Sequence, residues 1–150
     1  MSCAHSNTQQ HAARAKPRAG RKVNLRPRDR IINNVELADK LCGDSSDLRA
    51  AHARHVGLHG NLIPHVFMEE VLARARACIL PGAAECSSRR AELSRIVETL
   101  EQAMAGGDRE ACNVIYLSFV RDAEAEPFFA ALRPMLGPRL GALTQPQPDA

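Results

Sequence analysis

His52, His55, His59 and His65 are the densest group of side chains in this sequence that could do chemistry. Imidazole is the commonest metal ligand and titrates near neutral pH. Spacings of three and four residues place His52, His55 and His59 on one face of a helix, and with His65 they form the candidate metal set. Such a helix would have to pass Gly57, a residue that weakens helix interiors. The usual companions of a zinc site are missing from the pattern: it holds no HExxH, no Cys-x-x-Cys and no carboxylate at matching spacing. The competing reading puts His52 and His55 at the edge of a core through their ring faces, with His65 ordering the 57–65 loop. On that reading no metal or other cofactor is expected.

Two cysteines are candidate nucleophiles. Cys86 lies between Glu85 and Ser87 at an expected helix start, and Cys112 follows Asp108. A reactive thiolate needs an electropositive, accessible setting, and neither cysteine has a histidine close in sequence. Gly106-Gly107 lacks the Lys and Ser/Thr that a phosphate loop uses. Asn113 and Ser118 are polar residues in the most apolar stretch, and each needs a hydrogen-bond partner if buried. Back-bonding or capping explains them more simply than catalysis, so no catalytic residue is assigned and the protein is not expected to be an enzyme.

Charge divides the chain. Residues 1–30 carry eight Lys or Arg against Asp29, a balance of +7; the remainder carries twelve against sixteen acids, a balance of −4. Arg14, Lys16, Arg18, Arg21 and Lys22 are therefore candidates for binding nucleic acid or another polyanion. This stretch has too little apolar surface to offset the entropy of ordering, so a disordered basic tail is expected. Asp122, Glu124 and Glu126 form a small acidic cluster, either a solvated loop or a surface for a basic protein partner.

A length of 150 residues fits one domain. Hydrophobic residues make up 45 % of the chain and aromatics only 3 %, so the core must be built from Ala, Leu, Ile, Val and four Phe. That composition suits helix packing. Five cysteines, with Cys42, Cys78 and Cys112 on apolar stripes, indicate reduced, core-filling thiols. No apolar run reaches the ~18 residues of a membrane span, and the N-terminus lacks the apolar core of a secretion signal. The expected setting is the cytoplasm, without membrane association.

The elements that must position these groups follow from apolar spacing. A first helix carries Ile31, Val35, Ala38, Leu41 and Cys42. A second, capped by Asp44 or Ser45, carries Leu48, Ala51, His52, His55 and Val56. A third, capped by Asn61, carries Ile63, Phe67, Val71, Ala75 and Cys78, with Val66, Leu72 and Ile79 widening the stripe and Glu70 and Arg74 paired on its wet side. A fourth starts at Ser87 or Ser88 and turns Leu93, Ile96, Val97, Leu100 and Met104 inward; Glu92, Arg95, Glu98 and Glu101 face out. Short helices follow Pro127 and Pro134. Asp108 caps the stretch Asp108–Asp122, whose second half is apolar nearly all round and hence buried. The expected fold is all-α. It is a compact bundle of five to six helices over 31–143 around a central buried helix at 108–122, followed by a disordered tail at 144–150. Its core is expected to hold Phe119, Ile115, Leu117, Val97, Leu100, Phe67, Val71, Leu41 and Phe129.

Three stretches carry a resemblance: 34–42 (NVELADKLC), 60–68 (GNLIPHVFM) and 113–120 (NVIYLSFV), joined by Leu136-Gly137-Pro138. Together they resemble an uncharacterised family of small all-helical bacterial proteins close in kind to the immunity proteins of toxin–immunity systems. The likeness spans roughly 31–143; Arg121 departs from it, standing where an acid is expected. It implies a helical fold and a binding role rather than an enzymatic one, and it supplies no catalytic residues. With the −4 balance of the folded part, the expected function is a non-enzymatic protein-binding module that uses the acidic surface of the helical domain.

Overall fold

The structure, a computed structural model, describes residues 31–43, 45–80, 82 and 86–144. The chain forms α1 (Asn34–Gly43), α2 (Ser46–His59), α3 (Pro64–Ile79), α4 (Ser87–Gly106) and α5 (Arg109–Ile115). A π-helical stretch (Tyr116–Arg121) continues α5 without a break and leads into α6 (Asp122–Glu124). After it come α7 (Phe129–Leu132), a 3-10 turn (Arg133–Met135) and α8 (Pro138–Leu143). The expected all-α class is what the described residues show, with no strand among them. Residues 1–30, with the candidate polyanion contacts Arg14, Lys16, Arg18, Arg21 and Lys22, lie outside the described residues, as do 145–150.

Local chemistry explains where the helices start and stop. Ser45 caps α2, its side chain accepting from the Leu48 amide at 3.2 Å. Gly57 does not end α2. The helix runs to His59 and stops at Gly60, which takes the left-handed conformation (φ 76°) and donates its N–H to Val56 O at 2.8 Å. Asn61 does not cap α3; Ile63 occupies that position, and Pro64 takes the first turn, where its missing N–H costs nothing. Asp108 caps α5 as expected, accepting from Ala111 N at 2.7 Å.

α1, α3, α4 and α8 pack against the continuous rod from Arg109 to Glu124, which lends Ala111, Val114, Ile115, Phe119, Val120 and Ala123 to the core. Ile115 and Phe119 have no accessible surface. Leu117 corrects the expected core list: it is 42 % exposed, because the inward places of the π-helical stretch belong to Ser118, Phe119 and Val120. The inward residues of α1 are Leu37, Ala38, Leu41 and Cys42. Ile31 (65 % exposed) and Val35 (59 % exposed) are not part of its stripe. Ile31 precedes the helix, and the next residue is drawn elsewhere: Ile32 donates to Gly106 O and accepts from Asp108 N, each at 3.0 Å. The lead-in to α1 is thereby fastened to the turn between α4 and α5. Phe129 is half-buried, packed on the edge of the core.

Two glutamates expected to face water do not. Glu92 holds Arg74 in a two-pronged pair (2.9 and 2.6 Å) and accepts from Ser45 Oγ at 2.5 Å, joining α3, α4 and the cap of α2. Arg74 also meets Asp47 at 2.6 Å, so it serves this network rather than a wet-side pair with Glu70. Glu101 reaches α8, accepting from Leu140 N at 2.8 Å and Arg139 N at 3.2 Å. α8 has no cap of its own, and Glu101 supplies one from another helix.

Candidate functional site

The candidate residues converge most closely where α2 turns into α3. Because α2 continues through Gly57, His52, His55 and His59 do share a face. Their rings do different work. His52 packs edge-on against Phe67, with centroids 5.2 Å apart. His55 is buried; its Nε2 accepts the Ile63 amide at 2.9 Å, and its ring lies 4.7 Å from that of His59. The loop-ordering role expected of His65 therefore belongs to His55. Burial, then the neighbouring His59 and His52, push the His55 imidazole below its ordinary pKa, against a smaller pull from Glu70.

His65 points the other way, its Nδ1 at 2.7 Å from Ser118 Oγ. This bond supplies the partner that buried Ser118 requires and ties the first turn of α3 to the π-helical stretch. Widened helical turns of this type recur at functional sites. Sequence spacing gave no hint of the pair, since 53 residues separate its members. Among the described residues there is no group of three or more His, Cys, Asp or Glu side chains that could hold a metal. His52, His55 and His65 are turned to Phe67, Ile63 and Ser118 respectively, and His59 lies against the His55 ring, instead of all four facing one point. Asn113, the other polar residue of this stretch, is exposed.

Apolar side chains surround this corner. Leu58 in the last turn of α2 is 81 % exposed. Ile63 and Val66, expected on the inward stripe of α3, are instead each 36 % exposed; Ile63 precedes the helix as its cap, and the inward places go to Phe67, Met68, Val71, Ala75 and Cys78. Leu117 is exposed beside Ser118. The acidic cluster follows on the same rod. Asp122 and Glu124 are exposed. Glu124 stands 3.9 Å from Arg121, and half-buried Glu126 stands 3.7 Å from Arg76, so two of the three carboxylates already face a cation.

The cysteines divide by burial. Cys42 and Cys78 are buried and Cys112 half-buried, and desolvation pushes all three thiols up. Cys86 is exposed at the start of α4, and its hydrogen bond with Ser88 (2.9 Å) draws the thiol down. An open groove of about 140 Å³ between α2 and α3 is lined by Asp47, Leu48, Ala51, Arg54, Glu70, Ala73 and Arg74. Its two carboxylates and two guanidinium groups balance one another. No helix among the described residues is long and apolar enough to cross a membrane. Compared with protein-family models, with curated proteins and with solved structures, the chain matches none.

Proposed function

We propose that this protein is a non-enzymatic protein-binding module, immunity-like in kind, in which a compact helical bundle presents the α2–α3 corner to a basic partner. The observation that carries this reading is the exposure of Leu58, Ile63, Val66 and Leu117 on three elements, α2 and the start of α3 tied by the His55–Ile63 bond and α3 and the π-helical stretch tied by the His65–Ser118 bond. Single apolar residues at a surface are ordinary. Several on adjoining elements, rimmed by charge, characterise an interaction surface. Asp122 and Glu124, exposed further along the rod that carries Leu117, supply the acidic charge that makes association with a basic partner electrostatically steered and salt-sensitive. The free thiols of Cys42, Cys78, Cys86 and Cys112 suit a reducing cytoplasm.

The test is co-purification of the full-length chain with a Leu58→Asp, Leu117→Asp double variant as comparison. A basic partner should be retained by the parent, released by salt, and lost from the double variant while the thermal melt of the domain is unchanged. A partner held equally by both proteins refutes docking at this corner. The +7 balance of residues 1–30 favours a second reading, polyanion binding. In that case deleting those residues abolishes duplex binding, whose log affinity in the parent falls linearly with log salt.

A further inference from the structure

We propose that His55 is a proton-operated latch: as neutral imidazole it holds the second half of α2 and the turn into α3 closed, and on protonation it releases them. Leu48, Ala51 and His55 are the buried residues of α2. Past Ala51, the last two turns of this 14-residue helix thus hold one fully buried side chain, a histidine, with only His52 on Phe67 and Val56 half-buried beside it. Those turns also contain Gly57 and end at left-handed Gly60. A segment with one buried anchor and a helix-weakening glycine belongs to the low-stability end of a fold, where opening is local rather than global.

The anchoring bond depends on the proton. A backbone N–H can only donate, so the 2.9 Å contact from Ile63 N requires a lone pair on His55 Nε2 and places the ring proton on Nδ1. Adding a second proton turns Nε2 into a donor facing a donor. The charged and titratable groups around the ring are His52 and His59 on its own helix and Glu70 on α3; Phe67 of α3 covers it, with centroids 6.4 Å apart. Once His59 is also protonated, like charges face each other across 4.7 Å. Glu70 favours the cation, but burial and the two imidazoles outweigh it. The proton is therefore taken up most readily by the open form, and acid shifts the population toward it.

This latch needs no partner and stands independently of the proposed docking role. It does mean that acid rearranges Leu58 and Ile63, two of the residues offered as the docking surface.

The experiment is residue-resolved amide hydrogen exchange on the full-length chain between about pH 7.5 and pH 5, the range in which histidine changes charge. After correction for the intrinsic rate, Ile63 protection should fall about tenfold as its acceptor is lost. The amides of Val114 and Ile115 should keep theirs. In His55→Gln, whose Oε1 accepts at every pH, Ile63 protection should stay level across the range. Level Ile63 protection in the parent, or an undiminished pH dependence in His55→Gln, overturns the proposal. Should His55→Gln fail to fold, the ring nitrogen shifts of His55 in the parent decide. A bare Nε2 at neutral pH, titrating below the ordinary histidine range, supports the latch; an Nε2–H tautomer, or titration at or above that range, overturns it.

Discussion

Gly137 sits where a Cβ would fall on the carboxyl group of Glu101, so a side chain at 137 and the carboxylate cap of α8 exclude each other. Gly137→Ala and Glu101→Ala should therefore do similar damage, each costing about 1 kcal/mol, the usual worth of a helix cap. Their combination should cost little more than either alone, and a double-mutant cycle in chemical denaturation checks this. Glu92 is the more consequential carboxylate. The hydrogen bonds from Arg74, then the one from Ser45, hold its pKa below the usual range. A depressed carboxylate contributes its full stabilisation above the ordinary glutamate value, and this is lost as pH falls through the folded value. Glu92→Gln should cost about 2 kcal/mol at neutral pH, in line with hydrogen bonds to charged groups. It should also flatten the acid limb of the stability curve. Neither role was legible in sequence. Helical periodicity places Glu92 and Glu101 on the outer face of α4, and only the arrival of α3 and α8 turns that face into an interior. The cap at Asp108, by contrast, was readable because its partner lies three residues away.

At the scale of the element, the apolar run from Asn113 to Val120 reads as a helix buried all round; the structure contains the helix but buries only one side of it, leaving Asn113 and Leu117 exposed and Tyr116 half-buried. The π-helical register was hidden, because an i→i+5 ladder leaves no mark in composition. That register decides which residues point inward, which is why Leu117 was misplaced while Ile115 and Phe119 were not. Two substitutions separate these cases. Phe119→Ala should cost about 3–5 kcal/mol, the range for emptying a fully buried aromatic site. Leu117→Ala, at an exposed position, should change stability by no more than about 0.5 kcal/mol. Denaturation midpoints of the two variants report the difference directly. The histidines teach a related lesson. Gly57 suggested that α2 would end before His59, but the effective stop is the left-handed Gly60. The face shared by His52, His55 and His59 is real, yet tertiary partners assign its members separate roles.

For the whole molecule, class and core were written in the chain, since periodic stripes of Leu, Ile, Val and Ala suffice to specify helices that bury one side. What could not be read was how distant segments meet: Ile32 on the α4–α5 turn, His65 on Ser118, Glu101 on α8. Such contacts join residues that no local pattern relates, and they place the candidate site. The pH response also belongs to this scale. A histidine whose folded pKa is depressed leaves stability complete above its unfolded value, about 6.5, and erodes it as pH drops through that value toward the folded one. Thermal melts should accordingly be level above about pH 7 and shift downward toward pH 5, with His55→Gln reducing the shift. A rod at 109–124 that lends six residues to the core stands beside a corner at 56–63 with no fully buried side chain of its own. A residue-by-residue map of amide exchange at neutral pH tests that contrast most directly. Ile115 to Val120 should exchange only through global unfolding, and the end of α2 with its turn much sooner. Equal protection in the two regions, or faster exchange in the rod, would contradict it.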